Sequence, residues 1–174
     1  MAICNLANNI LKADSCDYVL QSVKRIYLAN TDDVTGMTES GATLAESATW
    51  YEIEPAKNTA SFTDVLNVTD SGNKYRTHTL SFSIAGAYSD TMQSNLDVLS
   101  LGSFIGVAIF SDGSGVLLGT KNSGLEATVV TNTGAASATE ASGISVEMSA
   151  DLTSSALHLT KEDVEKLNVA PRGE

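Results

Sequence analysis

The side chains able to carry chemistry are few: His78 and His158, Cys4 and Cys16, and a scatter of Asp and Glu. A Ser or Cys nucleophile needs an imidazole within hydrogen-bond reach and a third group that orients it. His78 sits in an alternating segment and His158 follows a Ser- and Thr-rich stretch. There is no Gly-x-Ser-x-Gly elbow, and neither cysteine has a recognisable partner. Both histidines are therefore expected to be structural or surface residues. A zinc site needs clustered Cys and His, and the sequence has no such cluster. Asp112-Gly113-Ser114-Gly115 has the glycines of a phosphate cradle but lacks the P-loop lysine, so it reads as a hairpin turn. Asp32-Asp33 and Asp70 lack EF-hand spacing and read as solvated loop charge. Glu52 and Glu54 stand at i, i+2 on one strand face, but aromatics that would stack a sugar beside them are scarce. Asn67-Val68-Thr69 fits a glycosylation acceptor, which has meaning only in a secreted protein. The expectation is no catalytic residue, no metal and no cofactor.

Composition points the same way. The chain has 174 residues, the length of one domain, and 21 Asp+Glu against 10 Lys+Arg give a net charge of −11. That balance argues against gripping phosphates or an anionic membrane surface. Aromatics are 6% and charged residues 18%, with Ser, Thr, Ala and Gly filling the gap. Hydrophobic residues at 43% exclude a disordered acidic tail. No apolar run approaches the ~18 residues of a membrane span. Met1 to Leu11 shows no positive n-region, so Cys4 and Cys16 are expected as free thiols in a reducing cytoplasm.

The elements that must position these residues are mostly short β segments. Residues 19–29 read as a strand with imperfect alternation. Residues 31–48, rich in Thr, Ser, Gly, Asp and Glu, show neither period and read as a long loop. Strands are expected at 49–54 and 60–68, the latter followed by an Asp70–Asn73 turn. Residues 74–84 alternate most clearly, with His78, Leu80, Phe82 and Ile84 on one face. In 89–101 the period becomes helical. Met92, Leu96 and Leu99 form a stripe, Ser89 suits the N-cap and Gly102 the C-terminal cap. The apolar run 104–110 reads as a strand buried on both faces. Hairpin arms follow at 116–119 and 125–132, a polar tip at 133–142, and an alternating strand at 143–150. Thr160 and Asp163 make a capping-box-like pair before a short apolar edge. Two packed antiparallel sheets with one flanking helix satisfy this layout.

From residue 75 onward the order and texture of the segments resemble bacteriophage major tail tube proteins. The likeness rests on KYRTHTLSFSI leading to a helix that ends in Leu-Gly. FIGVAIF, the SDGSG turn, LLGTKNSGLEATVV and a Gly-started GISVEMSA then follow. It covers roughly residues 18–159. It implies a β-sandwich subunit with a flanking helix, whose inner sheet joins its neighbours into a barrel. Rings, of six subunits in this family, stack into a hollow tube through which DNA leaves the virion. The partners implied are the chain itself and other tail proteins, with DNA passing unbound and no membrane. The location implied is the virion tail, after synthesis in the host cytoplasm.

On this reading the domain plan is an arm at 1–17, a tube domain at 18–158 with an inter-ring loop at 31–48, and a tail at 159–174. Strand parity nominates Glu52, Glu54, Glu126, Glu147 and Asp64 for an acidic lumen wall; an ordinary solvated outer surface is the alternative. The parity places Leu125, Ala127 and Val129 toward the core. Met37 and Leu44 are expected to touch the next ring. Ile3, Leu6, Ile10 and Leu11, with Leu159, Val164 and Leu167 in the tail, are expected to pack on neighbours. A rival reading is a monomeric extracellular β-sandwich that binds a carbohydrate or protein. It sits less well with a single Trp, Trp50, because binding hot spots favour Trp, Tyr and Arg. An enzyme is a third reading.

Overall fold

The computed structural model describes residues 22–85, 89–134 and 143–171. The fold is mainly β. The strands are β1 (Val23–Asn30), β2 (Val34–Thr38), β3 (Gly41–Leu44), β4 (Tyr51–Ile53), β5 (Ser61–Val68), β6 (Lys74–Ala85), β7 (Ser103–Phe110), β8 (Gly115–Leu118), β9 (Leu125–Thr133), β10 (Gly143–Leu152) and β11 (Leu157–Leu159). Helix α1 spans Asp90–Leu101 and α2 spans Lys161–Glu165.

Nine strands form one antiparallel sheet, and β2–β3 form a small second one. The large sheet has two halves. One half carries β4, β1, β7, β8 and β11, and the other carries β9, β10, β6 and β5. They are continuous only at a corner, where Ser103 and Phe104 of β7 pair with Glu126 and Leu125 of β9. Two separate packed sheets were expected; a single sheet supplies both walls of the core. Ile26, Leu28, Ala108 and Leu118 of one half meet Leu80, Phe82, Val146 and Met148 of the other.

A second core lies on the far side of β1 and β7. Tyr27, Ala29, Ile105, Val107 and Ile109 pack there with Val34, Trp50, Leu117 and Leu159, flanked by Ala42, Leu44, Val164 and Leu167. Strands β1 and β7 are therefore buried on both faces. This explains the apolar run at 104–110 and the broken alternation before Asn30.

The loop expected at 31–48 is corrected. It is a 3-10 turn (Thr31–Asp33) followed by the β2–β3 hairpin. A register shift between Val34 and Gly36 breaks its alternation, so no strand period is visible. Gly41 turns the corner at φ 126°, a left-handed backbone that favours glycine. Val34 is buried, and Leu44 packs half-buried against the second core. Met37 is 38% exposed.

The tail is corrected too. Leu157–Leu159 add a strand to β8, and Leu159 is fully buried. Thr160 caps α2 in a reciprocal box with Asp163, as the pair of residues predicts. The helix lays Val164, with Leu167 beyond its end, on the chain's own second core. The Trp50 amide donates to the Asn168 carbonyl, and the Ala170 amide to the Trp50 carbonyl, both at 2.8 Å. Val164 and Leu167 thus pack, half-buried, on the chain's own second core. Ile3, Leu6, Ile10, Leu11, Cys4 and Cys16 lie outside the described residues.

Helix α1 follows the sequence reading closely. Ser89 Oγ accepts from the Met92 amide at 3.2 Å, and Leu96 is buried between half-buried Met92 and Leu99. Gly102 is used differently from a left-handed cap: its φ is −89°. A Cβ there would lie 2.5 Å from the Phe104 ring, so close approach is what requires glycine.

Candidate assembly face

The outer face of β9, β10, β6 and β5 is set by register. Glu126, Ser149, Thr79 and Thr63 form one row across the four strands, and Val129, Glu147, Ser81 and Ser61 form the next. Thr131, Ser145 and Ser83 make a third, and Asp151, Thr77 and Val65 a fourth. Inward residues alternate with these, because successive side chains in a strand point to opposite faces. The face is a lawn of hydroxyls with three carboxylates, and no strand residue pointing outward here is Lys or Arg.

The hydroxyls tie the strands together. Ser83 Oγ and Ser145 Oγ are 3.0 Å apart. Thr77 Oγ1 donates to Asp151 Oδ1 at 2.6 Å and accepts from Asn67 Nδ2 at 2.7 Å. Glu126 and Glu147 are exposed, as parity requires.

One inward residue is misplaced by parity. A bulge sets Glu147 opposite Val129 and Met148 opposite Ala127, leaving Thr128 unmatched. Beyond it the faces exchange, so Val129 turns outward and is 51% exposed while Val130 packs on the core. Bulges leave no mark in composition. Thr128 Oγ1 donates to the Glu147 carbonyl at 3.2 Å.

Three other nominees leave the face. Glu52 lies in β4, opposite Tyr27 in the other half of the sheet, with only 12% of its side chain exposed and Arg25 Nε 3.8 Å away. Glu54 is exposed just beyond β4. Asp64 pairs with His78 in the β5–β6 register and therefore faces inward. Asp151, which sequence reasoning missed, belongs to the face; continuing the Ser145, Glu147, Ser149 alternation by one step would have found it.

Asp64 organises a partly buried polar cluster. Arg76 Nε donates to its Oδ1 at 2.6 Å and the Ala156 amide to its Oδ2 at 2.9 Å. His78 Nε2 stands 3.7 Å from Oδ1. Burial pushes the carboxyl up, but the Arg76 hydrogen bond, the Ala156 amide and the positive charges nearby outweigh it and hold it below its ordinary value. His78 is 1% exposed. Its Nδ1 accepts from the Gly119 amide at 3.2 Å, which fixes the neutral Nε2–H tautomer. Burial pushes the imidazole down, more than the Asp64 charge and the Ser154 carbonyl raise it. Among the described residues Nε2 has no hydrogen-bond partner. The cluster pins β5 to the β10–β11 connection.

Among the described residues neither border of this four-stranded half is paired with a further strand along most of its length, and α1 packs beside the bulged β9 border. Among the described residues β5 pairs only with β6. β9 touches β7 only at Leu125 and Glu126, so Ala127–Thr133 pair on one side alone. Edge strands normally carry Pro, Lys or bulges that block pairing. β5 has no Pro or Lys, and Val65, Leu66 and Val68 are 49, 51 and 59% exposed.

Comparison with family models, with curated proteins and with solved structures finds no match to this chain.

Proposed function

We propose that this chain is a virion structural protein, the major tail tube subunit of a bacteriophage, forming stacked six-membered rings around an acidic channel. The observation that carries the reading is the four-stranded half with a hydroxyl-rich acidic outer face, bordered by β5, which has no Pro or Lys, and by β9, whose Ala127–Thr133 pair on one side alone. Pairing β5 of one subunit with β9 of the next extends the sheet without limit until it closes as a barrel, which removes every edge. The acidic face then lines the channel. A wall of Glu126, Glu147 and Asp151 without cations repels phosphates, so DNA slides through unbound. Trp50, the single Trp, is 2% exposed, which supports this reading over a monomeric binding module with an aromatic hot spot.

Electron microscopy of the purified protein tests it. Rings or tubes with a central channel are expected. Dispersed monomers at high concentration and high salt would overturn it.

A further inference from the structure

We infer that His78 is a proton-operated latch between the two halves of the sheet, closed at neutral pH and released by acid. The device belongs to the single chain and does not depend on ring formation.

The latch is built from one imidazole and one backbone amide. His78 lies in β6 on the core face, opposite Ala150 of β10 and Asp64 of β5. Its Nδ1 accepts from the Gly119 amide at 3.2 Å. β6 belongs to one half of the sheet, and Gly119 directly follows β8 of the other. Gly119 also abuts the corner where the halves are continuous. Its φ is 80°, and a Cβ there would stand 3.3 Å from the Phe104 carbonyl oxygen and 3.5 Å from the Leu125 amide nitrogen. Phe104 and Leu125 are one of the pairs that join β7 to β9. The bond therefore fastens β6 to the chain at the corner itself.

That bond survives only while the imidazole is neutral, because imidazolium has two N–H donors and no acceptor. A proton on Nδ1 sets donor against donor, and the Gly119 amide loses its partner. The same proton acts oppositely at the other nitrogen. Nε2 stands 3.7 Å from Asp64 Oδ1, beyond hydrogen-bond distance, and a charged N–H to carboxylate bond closes to ~2.8 Å. Arg76 and the Ala156 amide hold Asp64 ionised. One proton thus breaks the tie to Gly119 and tightens the tie to β5. Burial keeps the closed latch neutral, which sets its release below the ordinary histidine value of 6.5.

The surroundings permit the exchange. A cavity of about 400 Å³ has His78 and Gly119 in its wall, with Met37, Thr120 and Ser154 around them. A freed Gly119–Thr120 segment has room to move, and water can follow it. The charged groups toward the imidazole are Asp64 from β5, Arg76 from β6 itself and Glu39 from the β2–β3 turn. Lys121, on the connection that is freed, lines the adjoining cavity. β8 carries no charged residue, Glu147 and Asp151 of β10 point to the opposite face, and His158 of β11 is exposed beside Asp163. The far end of the connection stays tied, since Ser123 Oγ donates to the Asp151 carbonyl at 2.7 Å. Acid therefore opens the corner while both halves stay folded.

Hydrogen exchange of the full chain, followed from neutral pH to about pH 5, tests this, with histidine side-chain nitrogen resonances recorded on the same samples. Protection of residues 118–125 is expected to fall by up to about tenfold per pH unit as His78 titrates, while β6 and β10 keep theirs. His78→Asn carries an amide oxygen that can replace Nδ1 as acceptor and takes no proton, so its corner is expected to stay protected throughout. A folded His78→Asn chain that loses protection as the native chain does overturns the proposal. So does protection lost together across the whole native chain, or with a midpoint other than that of the His78 resonances. A His78 that stays neutral until the chain unfolds overturns it as well. Should His78→Asn not fold, the comparison of midpoints in the native chain decides.

Discussion

The imidazole Nε2 of His78 stands 3.7 Å from Oδ1 of Asp64, on the sheet face opposite Glu147. The buried neutral histidine and the half-buried charged aspartate respond to acid in the same direction. The folded imidazole binds a proton less readily than the unfolded one, whose ordinary value is 6.5. Stability should therefore fall as pH drops below about 6.5, by up to ~1.4 kcal/mol per pH unit for one proton. The Asp64 contribution persists above the ordinary 3.8 and is lost as pH falls through its lower folded value. Denaturant titrations at stepped pH should show the first slope in the native chain and its absence in His78→Gln. An equal slope in both would exclude His78 as its source.

Asp64→Asn should destabilise at neutral pH, by about 1–3 kcal/mol, because Arg76 loses its charged acceptor in a partly buried site. Glu147→Gln, on the wet face, should fall within ~0.5 kcal/mol of the native chain. Thermal unfolding of the two side by side separates inward from outward carboxylates on the two strands that flank β6.

Leu159→Ala should cost about 2–5 kcal/mol, the range for emptying a buried leucine site, since Leu159 is fully buried in the second core. Deleting residues 35–45 should likewise uncover that core and yield unfolded or aggregating chains. A soluble, fully folded deletion protein would show that the hairpin is dispensable to the monomer.

Val65→Lys with Leu66→Lys should leave the monomer folded, because both side chains are about half exposed, yet prevent edge pairing of β5. Normal circular dichroism with no tubes by microscopy is the expected pair of results. Tubes from this variant would shift the ring contact away from β5.

Glu126→Lys with Glu147→Lys should preserve the fold and make assembled tubes retain DNA, while the native wall should not at any salt. Native assembly should quicken with salt, because repulsion between like-charged subunits acts over ~10 Å at 0.1 M but only ~3 Å at 1 M. Light scattering against ionic strength and a DNA co-sedimentation assay measure the two effects.

Local rules were enough for what is periodic. The 3.6-residue stripe of Met92, Leu96 and Leu99, the Ser89 cap, the Thr160–Asp163 box and the alternation through 74–84 and 143–150 each follow from the geometry of one element. The exposure of Glu126 and Glu147 follows the same way. Tertiary structure decided the rest. A strand with both faces buried loses its alternation, so β1 was legible only as an irregular run until the second core gave Tyr27 and Ala29 something to cover them. The Val34–Gly36 and Glu147–Met148 register shifts are relations between two strands, and no single segment encodes them. The pairing of β11 with β8 joins residues about 40 positions apart in sequence, and its gain comes from burying Leu159 against residues that sequence spacing does not bring near. The same holds for Asp64: its own strand does not distinguish a channel wall from a core, and only Arg76, His78 and the Ala156 amide, arriving from other segments, turn it inward.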